Sequence, residues 1–78
     1  MKTVTLYTRP GCHLCDDARA KLLAVRERTP FTLEEIDIEQ DDALHRDYLE
    51  RIPVIHVDGK HLSDYFVDEA ALAARLRI

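Results

Sequence analysis

The sequence has few of the features that stabilise secreted or membrane proteins. Its only two cysteines, Cys12 and Cys15, would close too small a loop to restrain an unfolded chain, which argues against a disulfide-stapled scaffold. Apolar runs long enough to span a bilayer are absent, and Arg9 and Pro10 interrupt the N-terminal segment before a signal-peptide core is complete. We therefore expect a cytoplasmic protein with no membrane partner.

An excess of positive charge is also missing. The 11 lysines and arginines are outnumbered by 15 aspartates and glutamates, for a formal net charge of −4. A phosphate backbone is then repelled on average, so nucleic acid is a poor candidate partner. With 78 residues, 46% of them apolar, the chain has the size and composition of one small globular domain over residues 1–78, and a monomer is the default expectation.

What the sequence does contain is a cysteine pair at a predicted junction between a strand and a helix. Residues 3–8 alternate as a strand does, and Arg9-Pro10-Gly11 ends it. A helical period follows until Thr29-Pro30, with an apolar side made of Leu14, Ala18, Leu22 and Val25. A thiol in the first turn of a helix faces unpaired backbone N–H groups that favour its thiolate, the form that attacks disulfides. The pair therefore indicates a redox site, against the simpler interpretation of two ordinary buried thiols.

Three more segments have the pattern of strands. Residues 31–38 favour a strand with a bulge or twist, because their apolar positions do not all share one face. Residues 54–57 and 60–62 flank Asp58-Gly59, a strong hairpin signal, because glycine tolerates the positive φ that a two-residue turn demands.

Two shorter helices complete the prediction. One lies between residues 39 and 51 and begins at Asp41 or Asp42, and the other runs from Glu69 to about Arg77 after the cap residue Asp68. The last helix is expected to bury Ala71, Leu72 and Leu76. The order β-α-β-α-β-β-α predicts an α/β fold with a four-stranded mixed sheet flanked by helices, in which a helical crossover makes the first two strands parallel.

Three features together resemble the glutaredoxin branch of the thioredoxin-like proteins. They are the order of elements, the tripeptide Ile52-Pro53-Val54 before the third strand, and the segment Tyr7-Thr8-Arg9-Pro10-Gly11-Cys12-His13-Leu14-Cys15 after the first. The resemblance is above all to small bacterial glutaredoxin-like proteins whose Cys-x-Leu-Cys motif precedes an acidic residue. It covers essentially the whole chain and implies a thioredoxin-like fold and a thiol–disulfide oxidoreductase that contributes to cell redox homeostasis.

The resemblance also implies roles for single residues. Cys12 would be the exposed attacking nucleophile, Cys15 the resolving thiol beneath it, and Pro53 a cis proline that presents backbone groups to a disulfide substrate. The implied substrate-binding residues are Arg9, His13, Leu14, Ile52, Pro53, Val54 and Asp68. Protein or small-molecule disulfides are the expected partners, and the exchange needs no cofactor.

The chain departs from this group in three places. Glutaredoxins usually have a proline and an aromatic residue between the cysteines, and here His13 and Leu14 stand there. Glutaredoxins use a Gly-Gly pair and an acidic residue as a second glutathione-binding element, and here residues 63–68 stand instead, where Tyr65 and Phe66 would crowd the backbone. The tryptophan beside a thioredoxin's cysteines is missing, since the chain has none. Glutathione therefore stays an open alternative as reductant.

Two other functions remain alternatives. A non-catalytic thioredoxin-like module would hold a protein partner in the groove around Pro53. A metal-binding module would join Cys12 and Cys15 to His56 and His61, which the predicted hairpin places opposite each other, although the long separation of Cys15 from His56 disfavours a zinc site. The pattern favours an enzyme without a metal, a glutaredoxin-like protein-disulfide oxidoreductase, without establishing one.

Overall fold

A mixed four-stranded sheet organises the protein. The computed structural model describes residues 1–77, so the last residue of the predicted domain, Ile78, lies outside the described residues. The strands are β1 (Thr3–Thr8), β2 (Thr32–Asp37), β3 (Val54–Val57) and β4 (Lys60–Asp64), and the helices are α1 (His13–Arg28), α2 (Asp42–Tyr48) and α3 (Glu69–Leu76). The predicted order of elements is confirmed.

The strands lie in the order β2-β1-β3-β4, with β1 parallel to β2 and antiparallel to β3. The pairing of β1 with β2 is regular from Thr3 opposite Thr32 to Thr8 opposite Asp37, so the bulge predicted for the second strand is wrong. The apolar positions change face for another reason, because Ile38 has already left the strand and is buried in a turn of 3-10 helix. The irregularity lies instead in the β3–β4 hairpin, between Ile55 and His56.

The hairpin turn has the chemistry that its sequence predicts. Asp58 and Gly59 both have positive φ, 50° and 81°, as a two-residue turn of this hand requires. The Asp58 carboxylate also accepts a hydrogen bond from the Thr3 backbone N–H at 2.8 Å. This contact ties the tip of the hairpin to the start of β1.

The main core lies between one face of the sheet and helices α1 and α3. Its fully buried side chains include Val4 and Leu6 of β1, Leu22 of α1 and Leu72 of α3. The buried side of α1 is Cys15, Ala18, Leu22 and Val25. Leu14 was expected on that side but is 44% exposed, because it lies at the edge of the buried stripe where a groove opens beside the helix.

Helix α3 is less buried than predicted. Leu72 is buried, whereas Ala71 and Leu76 are only partly covered. The Asp68 carboxylate accepts a hydrogen bond from the Ala71 N–H at 3.0 Å and so caps the helix as expected. None of the helices in residues 1–77 has the length and apolar composition that crossing a bilayer requires.

A smaller apolar cluster lies at the end of the sheet where β1 and β2 finish. Its buried members are Cys15, Ile38, Ile52 and Val54. Helix α2 covers it with the half-buried Leu44 and Tyr48. Of the two predicted cap residues for α2, the structure uses Asp41, whose carboxylate accepts hydrogen bonds from the N–H groups of residues 43 and 44 at 2.8 and 3.1 Å.

Candidate functional site

Cys12 and Cys15 form a disulfide at the N-terminus of α1. The chain leaves β1, turns at Gly11 with a φ of 79°, and brings Cys12 to the N-cap position of the helix. The Cα atoms of the two cysteines are 5.2 Å apart, which is within the usual range for a bridged pair. The predicted pairing at a strand-to-helix junction is therefore present.

The two sulfurs have different surroundings. Cys15 has no exposed surface and lies in the small cluster with Ile38, Ile52 and Val54. Cys12 is only half-buried, and its Sγ accepts a hydrogen bond from the Cys15 backbone N–H at 3.1 Å. In the reduced protein the same N–H group and the positive end of α1 favour a thiolate on Cys12. An incoming sulfur meets Cys12 first.

Pro53 follows a cis peptide bond after Ile52, as predicted. Ile52, Pro53 and Val54 are all buried, and Val54 pairs with Tyr7 near the end of β1. Two backbone groups of this segment are used within the chain: the Ile52 N–H donates to the Tyr48 carbonyl at 3.0 Å, and the Pro53 carbonyl accepts from the Tyr65 N–H at 2.8 Å. Among the backbone hydrogen bonds of loops and turns in residues 1–77, none is accepted by the Ile52 carbonyl.

An apolar groove of about 340 Å³ begins at the first turn of α1. One wall belongs to α1 and has the apolar residues Leu14, Ala18 and Ala20 and the charged residues Asp17 and Lys21. The other wall consists of Tyr65, Phe66 and Val67, which follow β4. The exposed fractions of Leu14, Tyr65 and Phe66 are 44%, 45% and 64%. The sequence predicts that the two aromatic residues crowd the backbone of residues 63–68. The structure places them on one side of a groove whose other side includes Leu14, the residue directly before Cys15.

The other predicted substrate-binding residues lie outside the cluster and the groove. The Arg9 guanidinium pairs with the Glu39 carboxylate at 3.4 Å. His13 is exposed at the first position of α1, and the Asp68 carboxylate caps α3. Cys12, Cys15, Ile52 and Val54 belong to one cluster, and Leu14 lines the groove. Pro53 stands in the chain between Ile52 and Val54, and His13 directly follows Cys12. The charged groups of Arg9 and Asp68 contact Glu39 and the Ala71 N–H.

The histidines of the hairpin lie side by side on β3 and β4. His56 is opposite His61, and their ring centroids are 5.7 Å apart. Burial, followed by the charges of His61 and Arg51, lowers the pKa of His56. Within the described chain no three His, Cys, Asp or Glu side chains are grouped so that they could hold a metal ion, so the four ligands considered for a metal site do not come together.

A family model described as a glutaredoxin-like domain (DUF836) matches residues 3–77. The chain belongs to this glutaredoxin-like family. A relative within the curated proteins is the glutaredoxin-like protein YDR286C homolog of Dictyostelium discoideum, which is 35% identical over 77 residues, covering 88% of this chain and 69% of the relative. The predicted resemblance is confirmed.

Solved structures support the same fold. The solution structure of protein Ne2328 from Nitrosomonas europaea matches with a TM-score of 0.85 and 34% identity, over 95% of this chain and 89% of that one. A thioredoxin variant from Halobacterium salinarum matches with a TM-score of 0.63 over 97% of this chain and 72% of that one. At 22% identity this second likeness concerns the fold alone, and it confirms the predicted thioredoxin-like architecture.

One contact of this glutaredoxin-like domain has no counterpart in the sequence prediction. The Arg51 guanidinium donates two hydrogen bonds to the Asp64 carboxylate, from Nε at 3.1 Å and from Nη2 at 3.3 Å. A regular two-residue hairpin would place Ser63 opposite Val54, but the register shift in the hairpin places Asp64 there. Only knowledge of that shift, which no local pattern provides, would have linked Asp64 to the segment before Pro53.

Proposed function

We propose that this protein is a thiol–disulfide oxidoreductase that works through the Cys12–Cys15 couple. The observation that carries the proposal is the inequality of the two sulfurs. Cys12 is at the helix N-cap with access to solvent, and Cys15 has no exposed surface. Thiol–disulfide exchange needs one accessible sulfur to react with the substrate and one protected sulfur to complete the reaction within the protein.

The exchange starts from the dithiol form. The Cys12 thiolate attacks one sulfur of a substrate disulfide, the substrate S–S bond breaks, and the departing sulfur takes a proton from water. The Cys15 thiol then loses its proton and attacks Cys12 Sγ, which breaks the mixed disulfide and releases the second substrate thiol. Two electrons pass from the protein to the substrate, the two substrate sulfurs gain one proton from Cys15 and one from water, and the Cys12–Cys15 disulfide is formed. In the reverse direction a substrate thiolate attacks Cys12.

The surroundings of Cys12 favour a polypeptide substrate. A bound segment would place an apolar side chain in the groove between Leu14 and Phe66, where burial of apolar surface stabilises the complex. Its backbone N–H would donate to the Ile52 carbonyl. The two sulfurs carry out the exchange alone, so the proposal includes no cofactor and no metal. We further propose a monomer that acts on protein disulfides in the cytoplasm.

The test is equilibration of metal-free protein in glutathione redox buffers, followed by thiol trapping and mass spectrometry. We expect a Cys12–Cys15 disulfide that forms and breaks reversibly as the buffer changes. A glutathione adduct on Cys12, which Cys12→Ser removes, would identify glutathione as the reductant. Absence of both species under oxidising conditions would contradict the proposal.

The groove also fits the non-catalytic alternative. A protein partner captured by wild type would be retained equally by a variant with Cys12→Ser and Cys15→Ser if the groove served binding alone. Under the proposed function, the Cys12→Ser change removes exchange whether or not the partner still binds. These two measurements separate a binding module from an oxidoreductase.

A further inference from the structure

The Arg51–Asp64 ion pair joins two loops that surround the site. Arg51 directly precedes Ile52-Pro53, and Asp64 directly precedes Tyr65-Phe66. The guanidinium approaches the carboxylate with two nitrogens, at 3.1 and 3.3 Å. His61 Nε2 lies 2.8 Å from the same carboxylate. Such two-point contacts between arginine and a carboxylate fix orientation as well as distance.

The backbone beside this ion pair is held in an unusual conformation. Tyr65 has a φ of 69°, in a region that bulky residues avoid and that persists only where the surroundings hold it. Its N–H donates to the Pro53 carbonyl at 2.8 Å and approaches the Arg51 carbonyl at 3.3 Å. The Phe66 N–H donates to the Asp64 carbonyl at 2.8 Å. The Tyr65 N–H is thus bound directly to the Pro53 loop, and the Phe66 N–H is bound to the backbone of Asp64, whose side chain pairs with Arg51.

The ion pair is suited to this role at neutral pH. Partial burial raises the pKa of Asp64, but hydrogen bonds from Arg51 and His61 outweigh it and leave the pKa below its ordinary value. The Asp64 side chain is 25% exposed and that of Arg51 is 41% exposed. Arg51 also lies over the Tyr48 ring, with its guanidinium carbon 5.1 Å from the ring centroid.

We propose that Arg51, Asp64 and His61 are positioning residues for substrate binding, an inference that rests on the proposed function. Their contacts hold the Tyr65-Phe66 loop against the Pro53 loop and thereby give the groove beside Cys12 its shape. None of the three belongs to the cluster around the cysteines or to the lining of the groove. They act on how tightly a polypeptide is held, and leave the exchange between sulfurs unchanged.

The test measures how the protein of residues 1–78 exchanges with two different disulfide substrates. One is a peptide disulfide with leucine next to its cysteine, and the other is bis(2-hydroxyethyl) disulfide, which is too small to fill the groove. Asp64→Asn is expected to raise KM for the peptide up to about fivefold, which is the effect of losing a partly exposed ion pair. The kcat for the peptide and the rate with the small disulfide are expected to stay within about twofold of wild type.

Matched variants separate the effect of the two-point contact between Arg51 and Asp64 from the effect of the Arg51 charge. Arg51→Lys keeps the charge but loses the two-point contact, so it is expected to raise the peptide KM as Asp64→Asn does. Joint replacement Arg51→Asp with Asp64→Arg is expected to restore most of the affinity. Glu35→Gln is the control, because it breaks a comparably exposed ion pair between Glu35 of β2 and Arg19 of α1. It should leave KM and kcat for both substrates unchanged.

Three results would overturn the inference. An unchanged peptide KM in Asp64→Asn would show that the Arg51–Asp64 ion pair does not position the groove. Equal losses with both substrates in folded variants, checked by thermal unfolding, would show a general structural role. Full activity of Arg51→Lys would show that Arg51 acts by its charge alone. Failure of wild type to exchange either disulfide would instead contradict the proposed function, and the inference with it.

Discussion

The unequal exposure of the two sulfurs predicts unequal reaction with a small alkylating reagent in the reduced protein. Cys12 is half-buried at the N-cap of α1, and its thiolate is favoured by the Cys15 N–H. Cys15 has no exposed surface. We expect iodoacetamide to modify Cys12 in the native fold and to modify Cys15 only when the structure opens locally.

The burial of Cys15 sets the expected ratio of the two modification rates. Cys15 is enclosed by the buried side chains of Ile38, Ile52 and Val54. Full burial of one such side chain is worth about 1.5–3 kcal/mol, so an opening that uncovers one or two of them costs about 3 kcal/mol. Since each 1.4 kcal/mol is a factor of about ten, the open form is populated about one part in 150. Cys15 should therefore react at least about a hundredfold more slowly than Cys12.

The assay is a timed pulse of iodoacetamide on reduced protein, with acid quench and peptide mass spectrometry. The same pulse in concentrated urea is the control, because unfolding should make the two rates nearly equal. Cys15→Ser should accumulate a mixed disulfide with a peptide substrate, whereas Cys12→Ser should form none. Equal rates in the folded protein, or faster modification of Cys15, would refute the assignment of the two roles.

Three further predictions concern the groove, pH and the core. Phe66→Ala should raise KM for a peptide disulfide several-fold by removing groove wall, while Leu49→Ala, which removes a 37% exposed leucine elsewhere, should leave KM unchanged. Burial lowers the pKa of His56 in the folded protein, so the unfolded chain binds more protons, and stability is lost as the pH falls below the ordinary pKa of 6.5. The Tm should therefore fall with pH in this range, and His56→Gln should make that fall smaller. An identical fall in Tm in the variant would contradict the reasoning. Leu22→Ala should cost about 3 kcal/mol in the free energy of unfolding by denaturant, because Leu22 is fully buried, whereas the neighbouring Leu23, 38% exposed, should tolerate alanine.

Local chemistry accounts for the parts of the fold that the sequence predicted. The Asp58-Gly59 turn and the caps at Asp41 and Asp68 are confirmed, because each depends on a few adjacent residues. The side of α1 that faces the core was predicted with one error. Periodicity defines a stripe on a helix, but which end of the stripe is covered depends on the loop that packs there, and Leu14 is left open.

The candidate site was predictable to a similar extent. The cysteine pair and Pro53 form recognisable motifs, and both are found where expected. The wall made by Tyr65 and Phe66 and the pairing of Asp64 with the segment before Pro53 were not predicted. They depend on a register shift within the hairpin and on contacts between residues distant in sequence, for which single-sequence patterns carry no signal.

The apolar side chains form two separate clusters, and this division affects how the structure responds to a change at the cysteine pair. Among residues 1–77, the main core has ten buried members, and the cluster that holds Cys15 has four. Loosening the smaller cluster disturbs few contacts of the main core, so we expect the end of the molecule that holds the cysteine pair to open at a lower free energy than the whole domain. Under the proposed function, a substrate joined to Cys12 would be accommodated by a rearrangement of the smaller cluster while the main core stays closed.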